Sequence, residues 1–227
     1  MTERFRWAEE RLNHPFIDSA LLDLAFTHRS AAKHNNERLE FLGDAFLNYS
    51  IAQMLYEKWP EDSEGGLSRL RAALVKGETL AEIGRELGLS ALIEMGPGEL
   101  GSGGSNRDST IANALEAVIG AILLDGGVDA AKSCVTLLFW NRLNELPDAA
   151  SLKDPKTKLQ EWAQGRGLRL PDYAVESVSG EKHRQSFVVS CELPDSGQRT
   201  IGQGRSRRSA EQDAAGIMLS ELGSDGS

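Results

Sequence analysis

Between Asn35 and Tyr56 the chain reads Asn-Asn-Glu-Arg-Leu-Glu-Phe-Leu-Gly-Asp-Ala-Phe-Leu-Asn-Tyr-Ser-Ile-Ala-Gln-Met-Leu-Tyr, and this stretch constrains the fold more than any other. Leu39, Leu42, Phe46, Met54 and Leu55 recur at helical spacings, which predicts a helix with one side in a core. Glu37, Glu40 and Asp44, spaced i, i+3, i+7, fall within about 60° of one another on its surface. Like charges so placed repel by roughly a few tenths of a kcal/mol per pair, and bulky apolar neighbours limit the water around Glu40 and Asp44. A divalent cation relieves both penalties.

A second stretch repeats the pattern. Ser109 to Leu124 reads as another buried helix through Ile111, Leu115, Val118, Ile119, Ile122 and Leu123. On it Asn113 and Glu116 stand i, i+3, with Gly120 one turn further. On spacing alone the two polar faces either converge or never meet. If they converge, the donors are all oxygens, a set that suits Mg²⁺ or Mn²⁺ and not zinc.

The rest of the first part is helical by the same criterion. Residues 5 to 34 form helical segments broken near Asn13-His14-Pro15, and Leu21 to Ser30 has helix-like spacing. His28 reads as a hydrogen-bonded structural histidine, since no second His or Cys stands at ligand spacing. A turn over Glu61-Asp62-Ser63-Glu64-Gly65-Gly66 precedes helices at Leu67–Leu74 and Glu78–Leu87. Glu64, just before a helix, complements its dipole unless the chain folds it back against the first helix. Gly96-Pro97-Gly98-Glu99-Leu100-Gly101 has the letters of a dinucleotide fingerprint but no strand before it and a Gly/Ser stretch after it. It is expected to be a flexible loop, and no nucleotide cofactor is implied.

Periodicity stops over residues 147–153, the expected linker between a helical domain at 1–146 and a second domain at 154–223, with residues 224–227 as a disordered tail. The second domain reads α-β-β-β-α. Lys156–Gly165 is a short helix, Tyr173–Ser179 and Thr200–Gly204 flank a strand that puts Phe187, Val189, Cys191 and Leu193 on one side, and Ser206–Leu222 is a last helix burying Ala210, Ala214, Ile217, Met218 and Leu222. Cys191 is therefore expected in the core. Arg205, Arg207 and Arg208 crowd the start of the last helix, where the macrodipole is already positive and an external anion would resolve the repulsion.

Charge qualifies that reading. The net charge of −9 argues against a nucleic-acid partner, but residues 1–152 carry 23 acids against 14 bases while residues 153–222 carry ten against eleven. The acidity belongs to the first part. No long apolar run suggests a membrane span, the N-terminus lacks the apolar core of a secretory signal, and Cys134 and Cys191 fall in different domains. A cytoplasmic protein without a structural disulfide is expected.

Asn36-Glu37-Arg38-Leu39-Glu40-Phe41-Leu42-Gly43-Asp44-Ala45 resembles the signature of bacterial ribonuclease III. Asp154-Pro155-Lys156-Thr157-Lys158-Leu159-Gln160-Glu161, with Gly202 to Ala215, is similar to that family's double-stranded RNA-binding domain. The resemblance covers Phe5 to Leu222 in the family's domain order. It implies an all-α endonuclease domain followed by an α+β RNA-binding domain, acting as a homodimer that cuts both strands of duplex RNA to 5′-phosphate and 3′-hydroxyl ends with short 3′ overhangs. It further implies Mg²⁺ held by Glu40, Asp44, Asn113 and Glu116, with Asp44 and Glu116 closest to catalysis and Glu37 and Glu64 in support. In the second domain it implies RNA contacts from Thr157, Gln160 and Glu161, from His183, and from Arg205, Arg207 and Arg208. The family usually has Asp where this chain has Asn113, which removes a charge from the metal site. The competing expectation is therefore a non-cleaving double-stranded RNA-binding protein.

Overall fold

The acid-bearing stretch forms a helix from Glu37 to Lys58, third in a series that runs α1 (Glu3–Leu12), α2 (Ser19–Ala25), α3 (Glu37–Lys58), α4 (Glu64–Val75), α5 (Gly77–Glu86), α6 (Pro97–Gly101) and α7 (Asp108–Asn144). The computed structural model describes residues 3–149, 151–181 and 184–224. The chain divides into two units, residues 1–150 and 151–227, with the division inside the stretch expected as a linker. Two four-residue-periodic apolar faces make the first unit's core. α3 contributes Leu39, Leu47, Ile51, Met54 and Leu55, and α7 contributes Ile111, Leu115, Val118, Ile119 and Ile122, all buried.

The two helices pack against each other more extensively than any other pair. Glycine makes this possible. A Cβ on Gly43 would lie 1.8 Å from the backbone oxygen of Glu116, and one on Gly120 would lie 2.2 Å from that of Leu39, so the backbones touch where no side chain fits between them.

Several helix bounds differ from the sequence reading, each for a local reason. The segment expected to stay helical to Ser30 ends at Ala25, where the backbone turns so that Thr27 bridges Glu94 and its hydroxyl donates to the Asp23 carbonyl. α4 begins at Glu64 and not Leu67, because Ser63 accepts the Gly66 N–H and caps it. The expected loop at Gly96–Gly101 contains a five-residue helix opened by Pro97, whose fixed φ suits a first helical position.

α7 continues to Asn144, well past Leu124. It bends at Gly127, where φ is 77° and ψ −174°, a conformation that glycine alone adopts without strain. Beside this bend the Asp125 carboxylate accepts from the Ile17 and Asp18 N–H groups and pairs with His14 at 2.9 Å, pinning the α1–α2 connection to α7. These hydrogen bonds hold its pKa below the usual carboxylate range despite burial. By length and composition α7 is apolar enough to cross a membrane, which the sequence reading did not foresee; 56% of its most apolar window is buried inside the protein, as expected of a core helix.

The second unit is α8 (Pro155–Gln164), β1 (Asp172–Ser179), β2 (Ser186–Leu193), β3 (Gln198–Gly204) and α9 (Arg207–Ser224). Its strands form one antiparallel sheet in the order β1-β2-β3, with an irregularity between Val175 and Ser177. Leu159 of α8, Cys191 and Leu193 of β2, and Ala214, Ala215 and Met218 of α9 close the core beneath it. Cys191 is a core residue as expected, and both it and Cys134 are free. Burial pushes the Cys134 thiol up to about 12, which makes it unreactive. Ile217 corrects the sequence reading. It is 38% exposed, because it lies about 100° around α9 from Met218, off the face that meets the sheet. α9 runs on through Ser224, so the expected tail does not begin there; residues 225–227 lie outside the described residues.

Candidate active site

The contact between Gly43 and the Glu116 backbone fixes where the acids go. Glu40 and Asp44 flank Gly43 on α3, and Glu116 and Asn113 stand on the turn of α7 pressed against it. The carboxyl group of Glu116 is pushed up to about 7, first by burial and then by the charges of Asp44 and Glu40. Glu40 is raised too, chiefly by burial and by the charge of Glu37, while Asn113 and Arg29 oppose the shift. Glu40 and Asn113 share the wall of one cavity, and Asp44, Glu40 and Glu116 lie near enough to act on one another's charge. Asp44 Oδ1 accepts from Asn48 at 2.8 Å, one turn on, which orients it. Glu37 stands at the rim, its N–H donating to Asn35 and its carboxylate 3.9 Å from Arg29.

Among the described residues no three His, Cys, Asp or Glu side chains are gathered closely enough to hold a metal ion by themselves. The donor set nonetheless fits a hard divalent cation. All donors are oxygens, and Mg²⁺ is held by one or two carboxylates while keeping several waters, so a partly open site suits it. A cation there would favour the ionised form of Glu116, which burial and the neighbouring acids disfavour.

Glu64 lies elsewhere in the unit. It opens α4 beside Ala52 and Tyr56 of α3, two turns or more beyond Asp44, and its carboxylate accepts from the Ser68 hydroxyl at 2.9 Å. It is not among the groups that shift Glu116.

In the second unit α8 and α9 are tied by one nearly buried acid. Glu211 of α9, 8% exposed, accepts from Lys156 of α8 at 2.6 Å and from Arg207 at 2.9 Å. Asp154 caps α8 through the Thr157 N–H and also accepts from the Thr157 hydroxyl and from Gln212 of α9. Glu161 pairs with Lys153 at 2.7 Å, and Gln160 is half-buried on the same helix. Of the three crowded arginines, Arg207 has Glu211 and Arg208 acts on Asp154, so internal carboxylates offset part of the repulsion expected at that helix start. All three guanidinium groups still reach the surface. His183 lies outside the described residues.

The model of the ribonuclease-III-like family matches residues 18–143, and ribonuclease 3 of Nitrosococcus oceani is 54% identical over 224 residues, 98% of this chain and 96% of its own length. The chain belongs to the ribonuclease III family. The model of the double-stranded RNA binding motif matches residues 155–222. Ribonuclease 3 of Vibrio cholerae is 50% identical over 222 residues, covering 98% of this chain and 99% of that one. The nuclease domain of ribonuclease III from Campylobacter jejuni, whose structure shows flexibility in a region involved in dimer formation, superposes with a TM-score of 0.58 at 43% identity over 60% of this chain and 97% of that domain.

As a ribonuclease III family member the chain is an endoribonuclease of double-stranded RNA, and the family brings a general requirement for a divalent metal. Two features of its candidate site were missed in the sequence. The pairing of Gly43 with Gly120 was written there as glycine on both acid-bearing helices, a signal of close approach. The cavity wall that Asn113 shares with Glu40 left no trace in spacing.

Proposed function

We propose that the protein is a cytoplasmic homodimeric endonuclease that hydrolyses both strands of duplex RNA with Mg²⁺, or Mn²⁺ in its place, leaving 5′-phosphate and 3′-hydroxyl ends with short 3′ overhangs. Ribosomal and other RNA precursors are its proposed substrates. The observation that carries this is the convergence of Glu40, Asp44 and Glu116 where α3 and α7 touch.

Glu40, Asp44 and Glu116 would hold the cation, with Asn113 supplying a neutral oxygen. Bound there, it supplies a Lewis acid to the attacking water and to the scissile phosphate. The chain does the positioning. Asn48 fixes Asp44, Asn113 lines the cavity wall beside Glu40, and the partial burial of Glu116 strengthens the charge interactions there. Glu37 at the rim completes the acidic edge. A second copy is supported by Phe41, Tyr49 and Tyr56, which leave an apolar row on α3 exposed to 78%, 61% and 71%. Glu64 lies at that row, where a partner would meet it.

Incubating the protein with a long RNA duplex, with and without Mg²⁺, tests the reading. Cleavage of both strands at millimolar Mg²⁺ is expected; intact RNA that is nevertheless bound would leave a non-cleaving RNA-binding protein, with Asn113 as the reason.

Asn113→Asp restores the missing charge. It is expected to lower the Mg²⁺ concentration for half-maximal cleavage by about five- to tenfold, since one more carboxylate faces the cation. An unchanged Mg²⁺ titration would remove Asn113 from the metal site.

The duplex contacts are proposed to come from Thr157, Gln160 and Glu161 of α8, from His183, and from Arg205, Arg207 and Arg208. Replacing Arg207 and Arg208 by Ala is expected to weaken duplex binding about tenfold at physiological salt and to reduce the slope of log affinity against log salt by about 1 to 2, because each lost phosphate contact releases fewer counterions. An unaltered slope counts against those contacts.

A further inference from the structure

His28 stands outside the group of acids yet opens onto the space beside them. A cavity of about 540 Å³ adjoins Glu40 and Asn113 and is lined also by His28, Arg29, Arg107 and Thr110 and by the acids Glu37 and Glu99. The imidazole is held in place by its surroundings. Its backbone N–H donates to the Glu94 carbonyl at 3.0 Å, and the Ser30 N–H donates to ring Nδ1 at 3.2 Å. The Ser30 hydroxyl lies 2.8 Å from the same nitrogen and itself accepts from the Gly96 N–H at 3.0 Å.

A ring nitrogen that accepts a backbone N–H carries no proton, so the neutral ring has its proton on Nε2. Burial, and then the charge of Arg29, lower the His28 pKa and favour that neutral form. The nearby carboxylates are engaged with other groups, Glu99 with Arg107 and Glu37 with Arg29. Among the hydrogen bonds of the described residues none uses Nε2 of His28. The result is an oriented donor beside the acids, in a cavity where Arg29 and Arg107, each paired with a carboxylate of the wall, and the Thr110 hydroxyl are polar groups of the kind that meet a ribose–phosphate chain.

We propose that this cavity seats the ribose–phosphate next to the bond being cut, and that His28 Nε2–H donates to an oxygen of that strand. The inference rests on the nuclease reading above and adds a substrate contact to it.

The test is single-turnover cleavage, at limiting RNA with Mg²⁺, of duplexes carrying one 2′-deoxy or one methylphosphonate nucleotide at successive positions around the cut bond. His28→Asn keeps an acceptor near Nδ1 but removes the distal donor, and is expected to slow cleavage of unmodified duplex about fivefold, the worth of one hydrogen bond. At one position a modification that slows the unaltered protein should not slow His28→Asn further. A 2′-deoxy position behaving so identifies a ribose hydroxyl; a methylphosphonate identifies a phosphate oxygen. Modifications that slow both proteins alike at every position overturn the proposal. His28→Gln, whose amide keeps a distal donor, should recover the rate and the coupling. If it is as slow as His28→Asn while melting like the unaltered protein, the proposal also fails. Failure of the unaltered protein to cut unmodified duplex is a different result, and would strike the nuclease reading itself.

Discussion

Glu116→Gln is expected to lower the rate of duplex cleavage by about 10³-fold or more while leaving duplex affinity in the absence of metal nearly unchanged. Glu116 is the acid most affected by burial and by its two acidic neighbours, so its charge is the one whose loss a bound cation would feel most. The duplex contacts proposed for α8, α9 and His28 do not involve Glu116, which explains why affinity should survive. The same substitution has a signed effect on stability. In the unfolded chain the carboxyl ionises in its ordinary range near 4.5, whereas in the fold it holds its proton up to about 7. The folded state therefore binds more protons between these values, and stability falls as pH rises through them. Without metal, Glu116→Gln should remove that fall and stabilise the protein by about 2 kcal/mol near pH 8, with little effect near pH 4. Thermal melts at the two pH values, alongside cleavage and binding assays, check all three statements. Equal losses of cleavage and affinity, or a pH dependence of stability identical to that of the unaltered protein, would contradict the assignment.

Gly43→Ala should be the most damaging substitution of a single methyl group in the nuclease unit. The new Cβ would sit 1.8 Å from the Glu116 carbonyl oxygen and 2.9 Å from the Gly120 nitrogen, both backbone atoms that have no rotamer to retreat into. α3 and α7 would have to part, opening the core on either side. A loss of about 3 kcal/mol or more is expected, or about 10 °C in melting temperature, together with loss of cleavage, because the acids separate with the helices. Gly120→Ala attacks the same contact from the other side, its Cβ falling 2.2 Å from the Leu39 carbonyl oxygen, and should behave alike. Unaltered melting of both variants would show that the helices do not depend on this contact.

The two acid-bearing helices were legible because their apolar residues repeat at a period that only a buried helix explains, as Leu39, Met54 and Leu55 show on one and Leu115, Val118 and Ile122 on the other. Their mutual placement was not legible from period. Spacing describes one helix at a time, and nothing in the letters of Glu40 and Glu116 says that some seventy intervening residues return to the same spot. Family resemblance supplied that expectation, and the backbone contact at Gly43 is its physical cause. Elsewhere local chemistry outweighed pattern. Pro97 started a helix in a stretch whose glycines suggested a loop, and Ser63 drew Glu64 into a helix ahead of its first apolar residue. Hydrophobicity alone assigns Ile217 to the core, whereas its angle around α9 turns it outward.

Glu211, gripped from both sides by Lys156 and Arg207, makes a caliper of α8 and the start of α9. Its jaws cannot widen without uncovering a carboxylate that water scarcely reaches. Their span is thus set inside the protein, and on the contacts proposed above a duplex would meet a fixed spacing and not one fitted to it.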